Sequence, residues 1–314
     1  MRQTTRRQML ALTAGAMAWP VVGRAAPLAM LQGQAFGTGW RLALPPQADG
    51  AALARQIKAA FAQIDRQMSP WRGDSEVSRL NTGGAGGYAV SPATARVAGA
   101  ALDLAQASDG AFDPSVGPLV GRWGFGPILS GQLGRAALAV EGDAIVKTAP
   151  GATLDLCGIA KGHALDVAAA IVRDAGVGSA LFDLGGELAA IGLHPDGRMW
   201  QVGVEAPTGG LAATLALADG WSVATSGTHA QGYRAGERLF SHIIDPATGA
   251  PLDSGLTSVT VLARDAAQAD GWATALLAAG QGRGPALARR HGISALFQGD
   301  TGQTLTGQMA QVLL

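Results

Sequence analysis

The chain has 314 residues, with 23 basic and 23 acidic side chains, 46 glycines, one cysteine and 48% apolar residues. Balanced charge with no basic stripe argues against nucleic-acid binding, and the single Cys157 excludes an internal disulfide framework. An apolar fraction near one half supports one large domain or two intimately packed ones, and glycine at roughly twice its average share means many tight corners.

In chain order, Arg6 and Arg7 stand before a short apolar stretch, residues 9–19, which is followed by Gly23, Arg24, Ala25 and Ala26. This is the charged, apolar and small-residue pattern of an export signal over residues 1–25, cleaved after Ala25, with a single domain over 26–314. The run is about half the ~20 residues a membrane span needs, so a cleaved signal is expected and no stable membrane anchor. Paired arginines address a protein to the twin-arginine route, and hence to the periplasm, usually in folded form. Cleavage removes four arginines and no acid, leaving a net charge of about −4.

Residues 51–67 carry Leu53, Ile57, Ala60, Phe61 and Ile64 at helical spacing, and residues 94–108 form a second predicted helix closed by Asp109 and Gly110. Between them, the glycine-rich residues 82–87 are the nearest thing to a boundary. Residues 154–156 and 181–184 read as short apolar strands running into glycines, and residues 201–205 and 257–262 alternate like half-buried strands. Helices are expected over 161–173, with Ala164, Leu165, Ala168 and Ile171 on one face, and over 266–279. Strands and helices without a regular βαβ period predict an α+β fold, with mixed sheets and packed helices.

Five stretches, 68–81, 110–119, 154–166, 241–249 and 268–274, carry more polar and glycine detail than packing needs, and the last three suggest chemistry by themselves. The stretch 154–166 delivers Asp155, turns at Gly158 and enters a helix with Lys161 in its first turn; free amides and an ammonium at that point suit a phosphate, though an ordinary strand-turn-helix has the same pattern. Asp270 and Thr274, four apart on a predicted helix, can offer two oxygens to one hard cation such as magnesium, or can be a helix cap and a back-bonded threonine. His242 lies in Ser241-His-Ile-Ile-Asp245, where a histidine can accept a proton, donate to phosphate or serve as a buried hydrogen-bonder.

Taken together, Met68-Ser-Pro-Trp-Arg-Gly-Asp-Ser-Glu-Val-Ser-Arg-Leu-Asn81, Gly110-Ala-Phe-Asp-Pro-Ser-Val-Gly-Pro-Leu119, Leu154-Asp-Leu-Cys-Gly-Ile-Ala-Lys-Gly-His-Ala-Leu-Asp166, Phe182-Asp-Leu-Gly-Gly-Glu187, Ala224-Thr-Ser-Gly227, Ser241-His-Ile-Ile-Asp-Pro-Ala-Thr-Gly249 and Gln268-Ala-Asp-Gly-Trp-Ala-Thr274, in that order, resemble the ApbE family of FAD:protein FMN transferases. The resemblance covers essentially the whole chain after the signal. It implies a T-fold-like architecture with FAD in a cleft, and magnesium-dependent transfer of FMN from FAD to a threonine or serine hydroxyl with release of AMP.

By the same resemblance, Gly158 (through its carbonyl), Asp270 and Thr274 would hold magnesium. Phe36, Trp71, Ala111, Phe112, Asp113, Asp155, Lys161 and Ile244 would meet FAD, and His242 would stand near the attacking hydroxyl. Phe36 replaces a common methionine, Trp71 a frequent tyrosine and His163 a usual aromatic. Acceptors in the family are subunits of membrane redox complexes and regulators linked to nitrous oxide reduction. Three other readings of the chain are hydrolysis of FAD to FMN and AMP, a non-catalytic FAD-binding accessory protein, and a maturation factor that uses no flavin.

Overall fold

The computed structural model describes residues 27–206, 209–229, 232–235 and 238–314. The expected signal, with its cleavage point, lies outside the described residues. Eight strands make the main sheet, in the order Ala29–Ala35, Thr38–Leu44, Ala180–Leu184, Glu187–Ile191, Ser222–Gly227, Leu256–Ala263, Ser294–Gly299 and Gly302–Thr306. Every neighbouring pair in it is antiparallel, which fits the expected α+β class and not a doubly wound sheet.

Seven α-helices accompany the strands among the described residues. Helix α1 (Gly50–Met68) starts where Asp49 accepts the Ala52 amide at 3.0 Å, and buries Leu53, Ile57, Phe61, Ile64 and Met68 along one stripe. Helix α2 (Glu76–Thr82) and α3 (Pro92–Ala107) follow, the latter capped by Ser91 with proline in its first turn. The remaining four are α4 (Gly117–Arg122), α5 (Ala160–Asp174), α6 (Ala266–Arg290) and the short α7 (Met309–Val312). Gly280, at φ 74°, interrupts the regular helix of α6, just beyond the expected end at residue 279.

Alternation along the strands buries both faces of the sheet. Leu42, Leu44, Phe182 and Leu184 join the residues of α1 and α5 in one core, where Trp40, Phe61 and Phe182 meet edge-on or tilted at 5.7 to 6.2 Å. Each such fully buried side chain stabilises the fold by about 1.5–3 kcal/mol. On the opposite face Ala43, Leu181, Leu188, Val223 and Leu262 pack with the hairpin of Trp200–Glu205 and Leu211–Leu217. The result is three layers, of helices, sheet and hairpin.

One expected strand is absent. Residues 154–156 form no ladder, because the Asn81 side chain takes the place of a neighbouring strand: its Nδ2 donates to the Leu154 carbonyl at 2.8 Å and its Oδ1 accepts the Leu154 amide at 2.7 Å. The Asp155 amide donates to the Pro114 carbonyl at 2.6 Å, so loop atoms satisfy this segment.

Candidate active site

The segment held by Asn81 turns at Asp155, whose Oδ1 accepts the Cys157 amide at 2.9 Å. This turn delivers Gly158 and then α5. No side chain of its own caps α5 at Ile159; instead Asp270, in the second turn of α6, reaches across and accepts the Gly162 amide at 2.9 Å through Oδ2. Helix α6 is capped in return from α5, since Asp166 accepts the amides of Ala266 and Ala267 at 2.8 and 2.9 Å. The helices touch at Gly162, where a Cβ would lie 2.3 Å from the Ala266 carbonyl oxygen. Asp270 is therefore not a cap of its own helix, as the bland reading of the sequence allowed.

Asp270 and Thr274 are one helical turn apart on α6 and reach the same place. Thr274 Oγ1 is 3.1 Å from Ser226 Oγ, and a Cβ at Gly158 would stand 3.5 Å from Thr274 Oγ1 and 3.0 Å from the Phe112 ring. Gly158, Asp270, Thr274 and Phe112 are thus brought together. Lys161, on the first turn of α5, donates to Glu187 Oε1 at 2.5 Å. Glu187 is 2% exposed and follows the Gly185–Gly186 turn.

Burial and mutual interaction shift the titration of every charged group in this site. Burial pushes the carboxyls of Asp270 and Glu187 up, while Lys161 pulls both back. Burial alone would lower the Lys161 ammonium, but Glu187 and Asp270 outweigh it and hold it above its ordinary value. Two buried carboxyls face one ammonium, with Glu187 pushed up to about 8, and a cation bound beside Asp270 would favour its ionised form. Among the described residues no three His, Cys, Asp or Glu side chains gather as a metal cluster. One carboxylate, one hydroxyl and the backbone at Gly158 fit magnesium, which takes few protein ligands and completes its octahedron with water and phosphate oxygens.

The other expected residues are distributed around this centre. Phe112 is buried, with its amide donating to Ser108 Oγ, and Ala111 packs in the core beside Ala269 and Ala273 of α6. The Asp113 carboxylate is engaged by Arg135 at 2.8 Å and by the amide and hydroxyl of Ser115. Phe36, at φ 51° in the tip between the first two strands, packs edge-on to Phe61 at 5.4 Å. Trp71 is 64% exposed. Ile244 is buried in a short strand that packs against α6. His163 is drawn down by burial and by Arg96, as a core histidine would be.

His242 ends a column of rings that the sequence reading missed. Trp123 stacks on Phe240, Phe240 on Tyr233 and Tyr233 on Phe125 at 5.3 to 5.6 Å, and Phe125 meets His242 edge-on at 6.3 Å. Two of these rings come from the end of α4 and two from the hairpin of Gly232–Ala235 and Arg238–Ser241. Glu187 and Asp166 were also given no role. Each has a weak signal, a glutamate straight after Gly-Gly and an aspartate beside the apolar residues Ala164, Leu165 and Ala168.

The ApbE family model matches residues 36–297, which contain every one of these site residues. The chain belongs to the ApbE family. Among curated ApbE relatives, the FAD:protein FMN transferase of Vibrio cholerae is 33% identical over 287 residues, covering 85% of this chain and 86% of its own. That of Escherichia coli K12 is 30% identical over 311 residues, covering 91% and 89%. The solved flavin transferase ApbE of Vibrio cholerae superposes with a TM-score of 0.82 at 32% identity, covering 91% of this chain and all of its own. The apo flavinyl transferase ApbE of Pseudomonas stutzeri gives 0.82 at 31% identity, covering 91% and 96%.

Proposed function

We propose that this ApbE protein transfers the FMN half of FAD to a side-chain hydroxyl of an acceptor protein, with magnesium at Gly158, Asp270 and Thr274 and AMP as the leaving group. The transfer of FMN from FAD to protein rests on family membership and on relatives named for that reaction across most of both chains. The observation that carries the finer reading is the convergence of Asp270, Thr274 and Gly158 at the start of α5, beside Lys161.

A magnesium ion bound there supplies neutralisation of charge on the pyrophosphate oxygens. Lys161 would meet the phosphates as a point charge, since the Ala160, Gly162 and His163 amides of this turn are already engaged. The acceptor oxygen forms a bond to the FMN phosphorus, the bond from that phosphorus to the bridging oxygen breaks, and AMP departs with that oxygen. His242 takes the hydroxyl proton. Positioning and electrostatics therefore account for most of the acceleration, as in phosphoryl transfer generally.

The expected export signal supports an acceptor in the periplasm or on the periplasmic face of a membrane redox complex. Among the described residues no helix is long and apolar enough to cross a membrane. Chromatography of AMP after mixing the protein with FAD, magnesium and a candidate acceptor domain tests the reaction. AMP that appears only with acceptor present supports transfer; equal release without it supports hydrolysis instead. Changing Arg6 and Arg7 to lysine tests the address, and normal export of that variant would contradict the twin-arginine route.

A further inference from the structure

The transferase reading uses Lys161 and Asp270 but gives Glu187 no task. Glu187 opens a strand straight after Gly185 and Gly186, whose φ values of 67° and 106° lie where glycine is favoured. A Cβ at Gly185 would be 2.6 Å from Thr38, so the turn is wedged against the hairpin at the sheet edge. The glutamate is thereby fixed in place. Its Oε1 accepts from the Lys161 ammonium, its Oε2 is buried without a hydrogen-bond partner, and its side chain is 2% exposed against 29% for Lys161. A buried ion pair adds little net stability by itself.

Lys161 has a flexible four-carbon stem and immediately precedes Gly162, whose amide donates to Asp270 Oδ2 at 2.9 Å, so a second carboxylate stands beside it and supports its charge. Released from Glu187, the ammonium would turn to Asp270. We infer that Glu187 is a positioning residue: by holding the Lys161 ammonium it keeps that lysine off Asp270, leaving the Asp270 carboxylate available to a divalent cation. This rests on the proposed metal site. It makes Glu187 act on the cation only through Lys161, and on the transfer reaction only through both.

Titration calorimetry with magnesium alone, in the absence of FAD, tests this in four proteins: wild type, E187Q, K161M and K161M/E187Q. Glutamine keeps the volume and an acceptor oxygen but loses the charge that holds the ammonium. E187Q is expected to weaken magnesium binding on the order of 10-fold to 100-fold, the range for groups that orient a metal ligand. In the K161M background the same change should have almost no effect, because no ammonium remains to occupy Asp270.

An equal loss in both backgrounds, or wild-type affinity in E187Q, overturns the inference. Thermal melts of all four separate folding from binding; the double variant replaces the pair by neutral groups, so it folds even if one single variant does not. FMN transfer, read in parallel, distinguishes the two levels of the account. Wild type that transfers FMN while E187Q binds magnesium normally removes the role of Glu187 alone, whereas wild type that binds no magnesium removes the metal site and this role with it.

Discussion

The Oδ2 atom of Asp270 accepts the backbone amide of Gly162 at 2.9 Å, tying α6 to the first turn of α5. One carboxylate thus caps a neighbouring helix and stands in the proposed cation site. Asn keeps an oxygen for the amide and loses the charge, so Asp270→Asn should melt within a few degrees of wild type while FMN transfer falls by at least about two orders of magnitude. Ala removes the cap as well, and Asp270→Ala should lose about 1 kcal/mol more, roughly 2–4 °C in Tm. Thr274→Val should lower transfer in the same direction by less. Melting curves beside transfer rates at saturating FAD check all three.

At Gly162 the two helices lie in close contact. A methyl group there would meet the carbonyl oxygen, carbonyl carbon and Cα of residues 266 and 267 at 2.3 to 2.7 Å, all backbone atoms that cannot rotate aside. Gly162→Ala should therefore push α5 from α6, at a cost of about 1–3 kcal/mol, and should weaken magnesium binding by displacing Asp270. Unchanged stability and magnesium affinity in this variant would contradict the close approach.

Asp166 caps α6 from a site where burial pushes its carboxyl up to about 6 from 3.8. Above 3.8 the unfolded chain has released this proton, while the folded chain keeps it until about 6. Its contribution therefore makes metal-free stability fall as pH rises through that window and flat above it. Asp166→Asn, which cannot ionise and keeps one acceptor oxygen, should show a shallower fall. Urea unfolding of both proteins across this range reads the difference directly.

Asn81 is expected to matter for both folding and site geometry. It bonds the amide and the carbonyl of Leu154, one residue before Asp155. Asn81→Ala leaves two buried backbone groups without those partners, and should cost on the order of 1–3 kcal/mol and weaken FAD binding. A variant that loses stability but binds FAD as wild type does would confine Asn81 to folding.

The same residue explains where the sequence is hard to read. Helices α1, α5 and the first part of α6 were legible because Leu53, Ile57, Phe61 and Ile64, or Asp270 and Thr274, repeat with the helical period whatever surrounds them. Residues 154–156 misled because a short apolar run has no period of its own, and its partner is a side chain 73 positions away. Lys161 was visible at a glycine turn, but its pairing with Glu187 depends on where a distant strand begins. The ring column of Trp123, Phe240, Tyr233 and Phe125 likewise joins two segments that nothing local connects. Recognition of site residues such as Gly158 and Asp113 came from family resemblance, and the structure adds what holds them.

The central claim is that FMN moves from FAD to a protein hydroxyl at the Asp270, Thr274 and Gly158 centre. Intact mass spectrometry of an acceptor domain tests it most directly, after incubation with FAD, magnesium and either wild-type enzyme or Asp270→Asn. Wild type should raise the acceptor's mass by that of FMN less one water, on a threonine or serine. The variant should leave the acceptor almost unmodified. An acceptor flavinylated equally by both, or one unchanged by wild type while FAD is consumed to FMN and AMP, would contradict the account.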